Sequence, residues 1–559
     1  ASVAVDAQDR VWVAWDESGA NWGKDWNHED SWRGTPLYTD RAIRVAVLDH
    51  GSWKQPADLA GSIPARYRRY WQMPQLAADA AGRIWMLLQC RTSSANNRAD
   101  YWANNGRWEY FYTSYEGDHW LTLTPIPESA TRNQGETGAA VGPDHRVWLA
   151  WTRDNRSFGP PGRFDQPTPM MYEVWTSAVG SQDPPAAPVL EAFAEPPLPA
   201  TPVHPNEVAD VARIRTYRSG DLRILRGDFH RHTEISPDGA GDGSIDDYFR
   251  YMMDAARMDT GIISDHNAGN NVEYTWWRTE KAIDLYHIPG GYTPLFGYER
   301  SVNYPNGHRN IVFDHRGVRT LPVSPAENKG AINSGPLLYP YLRQNRGIAM
   351  EHSLATGQGT DWRDNAPDVE PLVEIYQGYH AAYEYEGGPR AETGHYTVNI
   401  HGGYRPLGFY WNALKKGYKL GIQSSSDHIS THSSYTMIYS PTTIRHDIVE
   451  SMRERHAYGA TDNIVLDFRT ADGHRMGDAF EASAPPRFEV KVEGTDRILT
   501  VEIIRNGEFV FTTRPDSPNA DFSYVDNNPP HGVEIWYYVR VTQIDRNLAW
   551  SSPMWVKMR

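Results

Sequence analysis

The chain has 559 residues, 40% of them apolar and 22% charged, which excludes a disordered polymer and predicts about two to four domains rather than one core. Its formal net charge of −15 argues against nucleic acid or an anionic membrane as the main partner, since either would favour a basic face. The single cysteine, Cys90, excludes an intrachain disulfide and a thiolate metal cluster, and no apolar run approaches the roughly 18 residues of a spanning helix.

The chain opens "ASVAVDAQDR", without Met and without the basic and apolar regions of a signal peptide. That reads as a leader already removed, and favours a periplasmic or secreted location over the cytoplasm. The next 180 or so residues repeat. "DAQDRVWVAW" (6–15), "DAAGRIWMLL" (79–88) and "GPDHRVWLAW" (142–151) share a turn, an Arg, a β-branched residue and a Trp. Units of roughly 65 residues with alternating apolar positions predict β-propeller-like blades over 1–182. About three blades fit where propellers have roughly 4–8, so the repeat domain is expected to be incomplete, or completed by another segment or subunit.

Residues 183–207 are proline-dense, and the spacing predicts an extended linker without regular structure. From 208 to 462 apolar steps alternate with helical stretches: "LRILRGDFH", then "SIDDYFRYMMDAARMD" with Ser244 as N-cap and Asp247 three residues on, then "TGIISDH", "YTPLFGYE", "GIAMEH", "LVEIY", "LGIQSSSD" and "YTMIYS". Strands separated by helices predict a mostly parallel sheet, open or closed into a barrel. Over 463–559 the helices stop, the strands shorten, and Asn506-Gly507 marks a hairpin, as in a small β-sandwich. The fold class is multidomain, α/β plus all-β.

Ligands of parallel α/β domains bind at the carboxyl ends of the strands. His230 and His232 follow the first strand here, Asp265 and His266 the second, and Glu299 the third. His352, Glu374, and the pair Asp427 and His428 follow later ones. One such histidine is ordinarily a loop residue. A series of imidazoles and carboxylates at successive strand ends predicts a metal site, for Zn, Mn or Fe rather than for Mg or Ca.

Taken together, "FHRHTEISPDG", "SDHN", "GYERS", "NGHRN", "MEHS" and "SSSDHISTHSSY" make residues 225–460 resemble the PHP (polymerase and histidinol phosphatase) superfamily of metal-dependent hydrolases. More narrowly, it looks like the branch called domain of unknown function 3604, which includes sequences similar to carbaryl hydrolases. The resemblance implies a distorted (β/α)7 barrel holding two divalent ions, with a third left open. It implies ligands at His230, His232, His266, His352 and Asp427, and a bridging carboxylate at Glu299. Asp238 matches an early ligand or a residue behind one, and His428 departs from the usual Asp-x-His spacing. For the "LVEIYQGYH" step, Glu374 and His380 both stay open.

The expected function is hydrolysis by metal-activated water, whose pKa a divalent ion lowers to about 7. His308, with Arg309, is the candidate for serving the leaving oxygen, and Asp265 is a further catalytic candidate. Arg231 and Arg300 are candidates for holding an anion, although strand alternation keeps both from entering one pocket. A phosphoester is the first choice of small-molecule substrate, and a carboxyl ester or carbamate the alternative. Aromatics in "EYTWW" (273–277) and over 374–388 suit the latter. A glycan- or partner-binding protein without catalysis is the rival class, and a homo-oligomer is compatible with either.

Overall fold

The computed structural model describes residues 1–18, 41–65, 71–92, 107–132, 135, 137–156, 171–181, 183–195, 206–239, 242–378, 381–393, 402–428 and 431–559. These form two compact units. One takes in the described residues up to 195 together with those of 237–247, and the other those of 206–236 and 248–559.

The first unit is built of three antiparallel sheets that follow the three sequence repeats. Ser2–Val5, Val11–Glu17, Ala42–Asp49 and Ser52–Gln55 make the first; Trp71–Ala78, Ile84–Arg91, Trp108–Glu116 and two short strands the second; Thr137–Val141, Val147–Asp154 and Tyr172–Val179 the third. The repeat has a physical cause. Asp6 accepts hydrogen bonds from the amides of Gln8 and Arg10 and from the Trp12 indole at 2.8 Å. Asp79 does the same for Ala81, Arg83 and Trp85, and Asp144 for Arg146 and Trp148. The residue before the repeated Arg is left-handed each time: Asp9 (φ 58°), Gly82 (φ 83°) and His145 (φ 60°). Each motif is thus a hairpin turn closed by an Asp. In the first two repeats the bonded tryptophan is also buried, Trp12 and Trp85.

One expectation fails here. The proline-dense 183–207 stretch is not wholly irregular, because Glu191–Ala192 pairs antiparallel with Ser52–Gln55 and extends the first sheet. Short pairing survives there because Pro is absent from 189–194 and the backbone donors remain.

Asp6→Ala would leave the Trp12 indole and two turn amides without their acceptor, and is expected to cost the first unit about 1–3 kcal/mol. A lowered urea midpoint at unchanged slope is the readout. Burial opposes ionisation of Asp6, but Trp12, Arg10 and the turn amides hold its pKa below the ordinary 3.8. Its contribution is therefore complete above about 3.8 and lost as pH falls through the lower folded value. Asp6→Asn should flatten that acid limb.

In the second unit Leu222–Asp228 pairs in parallel with Thr260–Gly261, which pairs in parallel with Thr293–Pro294. Ile348–Glu351, Leu372–Gln377 and Gly421–Ser425 form a second parallel run. The helix predicted from "SIDDYFRYMMDAARMD" is shorter than expected: it spans Ile245–Arg250 and then widens into a π-turn over Tyr251–Ala255. Its capping box forms: Asp247 N donates to Ser244 Oγ at 3.1 Å, and Ser244 N to Asp247 Oδ2 at 3.2 Å.

The sheets differ from expectation in two ways. "YTPLFGYE" splits at Pro294, and its second half, Phe296–Arg300, joins the other sheet. Between Phe296–Arg300 and Ile348–Glu351 lies the strand Arg309–Phe313, antiparallel to both. Among the described residues the strands of 222–460 therefore lie in two mixed sheets rather than a closed barrel. A shared core of Leu225, Ile438, Val312, Ile348 and Leu372 packs between the two sheets. Single bridges, Arg231 to Asp427 and His266 to Glu299, link them.

The C-terminal strands are not a detached module. Ala457–Ala460 pairs with Leu548–Ser551, so one C-terminal sheet continues a central one. A three-stranded sheet faces it through Phe488 and Tyr537, 4.7 Å apart between ring centres. The Asn506-Gly507 hairpin forms as predicted, with φ of 50° and 86°. Buried Glu384 ties this part to the loop after Leu372–Gln377, accepting from Tyr538, Arg540 and the Trp550 indole.

Candidate metal centre

The two interstrand bridges stand at the ends of the strands that carry the histidines. Leu222–Asp228 runs into His230-Arg231-His232, which is held on both sides: Asp427 N donates to the His230 carbonyl at 2.6 Å, and Ser264 N to that of Arg231 at 2.9 Å. Extended backbone puts His230 and His232 on one side. Arg231 goes to the other, where its guanidinium lies 5.1 Å from the Tyr251 ring centre. The expected alternation is what the structure has.

Four atoms then converge. His230 Nε2 lies 3.3 Å from His232 Nε2, 3.3 Å from Glu299 Oε2 and 3.3 Å from Asp427 Oδ1. His232 Nε2 is 3.4 Å from Glu299 Oε2 and 3.1 Å from Asp427 Oδ1. Atoms ligating one tetrahedral ion at about 2.0–2.2 Å stand roughly 3.3–3.5 Å from each other. The spacing is that of a ligand set. His352 Nε2 is 3.6 Å from Glu299 Oε2, and His428 Nε2 3.3 Å from Asp427 Oδ1. The His428 ring stacks on His232 at 4.3 Å. The other oxygen of Glu299, Oε1, is 2.8 Å from His266 Nδ1 and 2.7 Å from His308 Nδ1.

Residues behind the imidazoles fix which nitrogen faces inward. The Nδ1 of His230 meets Glu374 Oε2 at 3.0 Å, and that of His232 meets Ser236 Oγ at 2.8 Å. His352 Nδ1 meets Ser353 Oγ at 3.1 Å. Such partners set the tautomer and raise ligand basicity. Asp427 is oriented too, since Gln377 donates to its Oδ2 and Ser353 donates to Gln377. Backbone strain gathers here: Asp427 (φ 57°) and Ser353 (φ 51°) are both left-handed without being glycine.

The electrostatics agree. Burial opposes ionisation of Glu299, yet His266, His308 and His352 hold its pKa well below the ordinary range. Burial likewise opposes Asp427, and His428, His230 and His232 hold it down. Burial opposes the charged form of His352 and pushes its pKa well below 6.5. Glu299 Oε2, His308 Nδ1 and His352 Nε2 are buried without a hydrogen-bond partner. Such atoms cost about 1–3 kcal/mol each when nothing satisfies them. A cation among them would satisfy all three, so the residues fit a divalent ion.

Other expected residues go elsewhere. Asp265 is no part of the cluster's centre: both carboxylate oxygens bond Thr233, its amide at 2.7 Å and its hydroxyl at 2.7 Å. Arg309 is buried in ion pairs with Glu351 and Glu370 and donates to the Asn306 carbonyl, so its guanidinium is committed away from the site. Arg300 bonds Glu327 at 2.8 Å and the carbonyls of Leu321 and Pro322. In each case strand alternation turned the neighbour of a site residue outward. Asp238, which stays a candidate ligand, lies in the 237–247 stretch that groups with the first unit, and His380 lies outside the described residues. The sequence reading missed Ser236, Ser301, Ser353 and Gln377. The serines' signal was a hydroxyl one to four residues after a site His or Glu, and that of Gln377 an amide three residues after Glu374, both too common to stand out.

Comparisons with known proteins add the following. The family described as Protein of unknown function (DUF3604) matches residues 244–384, a stretch holding His266, Glu299, His308 and His352 but neither His230, His232 nor Asp427. An uncharacterized protein of Chlamydia pneumoniae is 32% identical over 393 residues, 63% of this chain and 60% of that protein. One of Chlamydia muridarum (strain MoPn / Nigg) is 28% identical over 390 residues, again 63% and 60%. The chain thus spans about 60% of the length of the curated relatives it matches. A two-domain protein of Bacteroides vulgatus ATCC 8482, described as containing a predicted PHP-like metal-dependent phosphoesterase, is 13% identical, covering 61% of this chain and 98% of its own with a TM-score of 0.32.

Proposed function

We propose that the second unit is a PHP-type metal-dependent hydrolase whose first ion is held by His230, His232, Glu299 and Asp427. The observation that carries this reading is that the Nε2 atoms of His230 and His232 lie 3.3 Å apart and each stands 3.1 to 3.4 Å from Glu299 Oε2 and Asp427 Oδ1. A divalent ion bound there supplies Lewis acidity and a water acidic enough to react near neutral pH. The chain's own part is positional. Glu374, Ser236 and Ser353 hold the imidazoles with Nε2 inward, Gln377 fixes Asp427, and burial keeps bulk water from competing for the carboxylates. His352 faces the centre as a neutral base.

A phosphoester is the first reading of the substrate. A carboxyl ester or carbamate is the second, favoured by one observation: Arg300 and Arg309 are tied to carboxylates and carbonyls, and Arg231 lies over Tyr251. No arginine clamp for phosphate comes from these three, so the charge on a phosphoester would have to be met by metal. The repeat unit over 1–182 is read as a propeller-like module and 463–559 as a β-sandwich.

Turnover of p-nitrophenyl phosphate, bis-p-nitrophenyl phosphate, p-nitrophenyl acetate and 1-naphthyl methylcarbamate by metal-replete protein tests both readings. Metal-dependent hydrolysis of the phosphates is the expected result. Preference for the carbamate or acetate would reverse the choice of bond. No metal-dependent turnover of any of the four would favour the non-catalytic binding protein.

A further inference from the structure

Resting on the propeller-like reading of 1–182, and independent of the hydrolase reading, we infer that two copies of this chain close head to tail through their first units. The Trp148 face of the third sheet in each copy covers the face of the first sheet that carries Val5 and Leu48 in the other.

The three sheets stack by one rule. A cross-strand apolar row stands at the same place in each: Val5, Val11 and Leu48 in the first sheet, Ala78 and Ile84 in the second, Val141, Val147 and Val179 in the third. The repeated tryptophan comes one residue after the middle of the row and so points to the opposite face. Trp12 and Val47 share a core with Ile84, Met86 and Tyr115 of the second sheet, and the ring centres of Trp12 and Tyr115 are 5.6 Å apart. Trp85 and Leu87 share a core with Val147, Leu149 and Val179 of the third. The tryptophan face of each sheet thus lies on the row face of the next.

That rule leaves two faces uncovered among the described residues. Trp12 is 0% exposed and Trp85 7%, whereas Trp148 is 43% exposed. Val174, on the same face as Trp148, is exposed as well. Asp144 still holds the Trp148 indole at 3.1 Å, so the ring is fixed in place as its buried counterparts are. At the other end the row runs on from Val5, Val11 and Leu48 to Trp53. Val3, Val5 and Trp53 are each more than half exposed. Single exposed apolar side chains are ordinary, but a row that crosses a whole sheet marks a contact surface.

The same rule names the occupant. In this protein a row face covers a tryptophan face, and the first unit offers an uncovered face of each kind. A second copy supplies both at once, through two equal head-to-tail contacts related by a twofold axis. Three sheets from each copy then make a ring of six, within the roughly 4–8 of propellers. Repetition also sets the register. Tyr115 and Val179, which meet the earlier tryptophans, occupy the place that Leu48 has in the first sheet, so Trp148 is placed over Leu48 of the second copy.

Sedimentation equilibrium of the full chain, from nanomolar to high micromolar concentration, tests this. The parent is expected to be a dimer. Trp148→Arg and Val5→Arg alter exposed side chains and should keep the parent's circular dichroism. Each should raise the dimer Kd at least about 30-fold, the scale of a hot-spot residue. If either misfolds, cysteine variants carry the test, because the native Cys90 is buried. Stacked sheets stand about 10 Å apart, beyond the reach of a disulfide, so a short bismaleimide is the linker. A mixture of Trp148→Cys and Leu48→Cys should give a covalent dimer, and neither variant alone should. A monomeric parent would overturn the inference and leave the propeller-like reading standing, as would a dimer that both Arg variants leave intact. Trp148→Cys linking to itself would overturn the head-to-tail arrangement. Polymers that lengthen with concentration would mean a contact that does not close, and would overturn the closed pair and the propeller-like reading together.

Discussion

Glu299→Gln is expected to lower metal-dependent turnover by at least about 1,000-fold while leaving the fold in place. The substitution keeps the shape of the side chain and removes its charge from the point where five imidazoles face it, those of His230, His232, His266, His308 and His352. Loss of metal charge stabilisation is worth several kcal/mol in a transition state, and each 1.36 kcal/mol is tenfold in rate. The same variant separates binding from chemistry. A ligand at 1,000 times its Kd raises stability by about 4.1 kcal/mol, so added Zn(II) should raise the parent's melting temperature and leave that of Glu299→Gln almost unmoved. A variant with parental turnover and a parental metal response would remove Glu299 from the site.

Arg309→Met is expected to destabilise the second unit by about 3–5 kcal/mol, because it strands Glu351 and Glu370 as buried carboxylates without their cation. Denaturant titration measures the loss, and turnover normalised to the folded fraction distinguishes it from catalysis. Unaltered stability with lost turnover would restore Arg309 to the chemistry. The contrast with its neighbour is instructive. His308 and Arg309 adjoin in "NGHRN", yet one faces the carboxylate of Glu299 and the other the carboxylates of Glu351 and Glu370.

That contrast marks what the sequence can convey. Strand ends bearing His230, His232, Glu299, His352 and Asp427 could be read from apolar steps followed by ionisable residues, and the structure brings those five together. Side-chain direction could not be read where the strand itself was missed. "HRNIVF" carries no helix before it, so its antiparallel strand broke the expected alternation of strand and helix, and with it the closed ring. The two Ser-Asp-His tripeptides make the same point. Asp265 turns to Thr233, whereas Asp427, held left-handed, turns into the cluster. Local sequence is alike, and tertiary pairing decides. Glu374 was visible as an ionisable residue within "LVEIY", but its role behind His230 depends on a partner 144 residues away. In the first unit the reverse holds. The Asp, left-handed residue, Arg and Trp of each repeat act within a few residues of one another, so pattern alone carried the turn.

The central claim is that His230, His232, Glu299 and Asp427 hold a divalent metal ion. Crystals of protein purified without chelator, measured above and below the Zn, Mn and Fe absorption edges, test it most directly. The expected result is an anomalous peak within about 2.0–2.3 Å of His230 Nε2, His232 Nε2, Glu299 Oε2 and Asp427 Oδ1. Ordered side chains with no anomalous density among them, in metal-replete crystals, would contradict it.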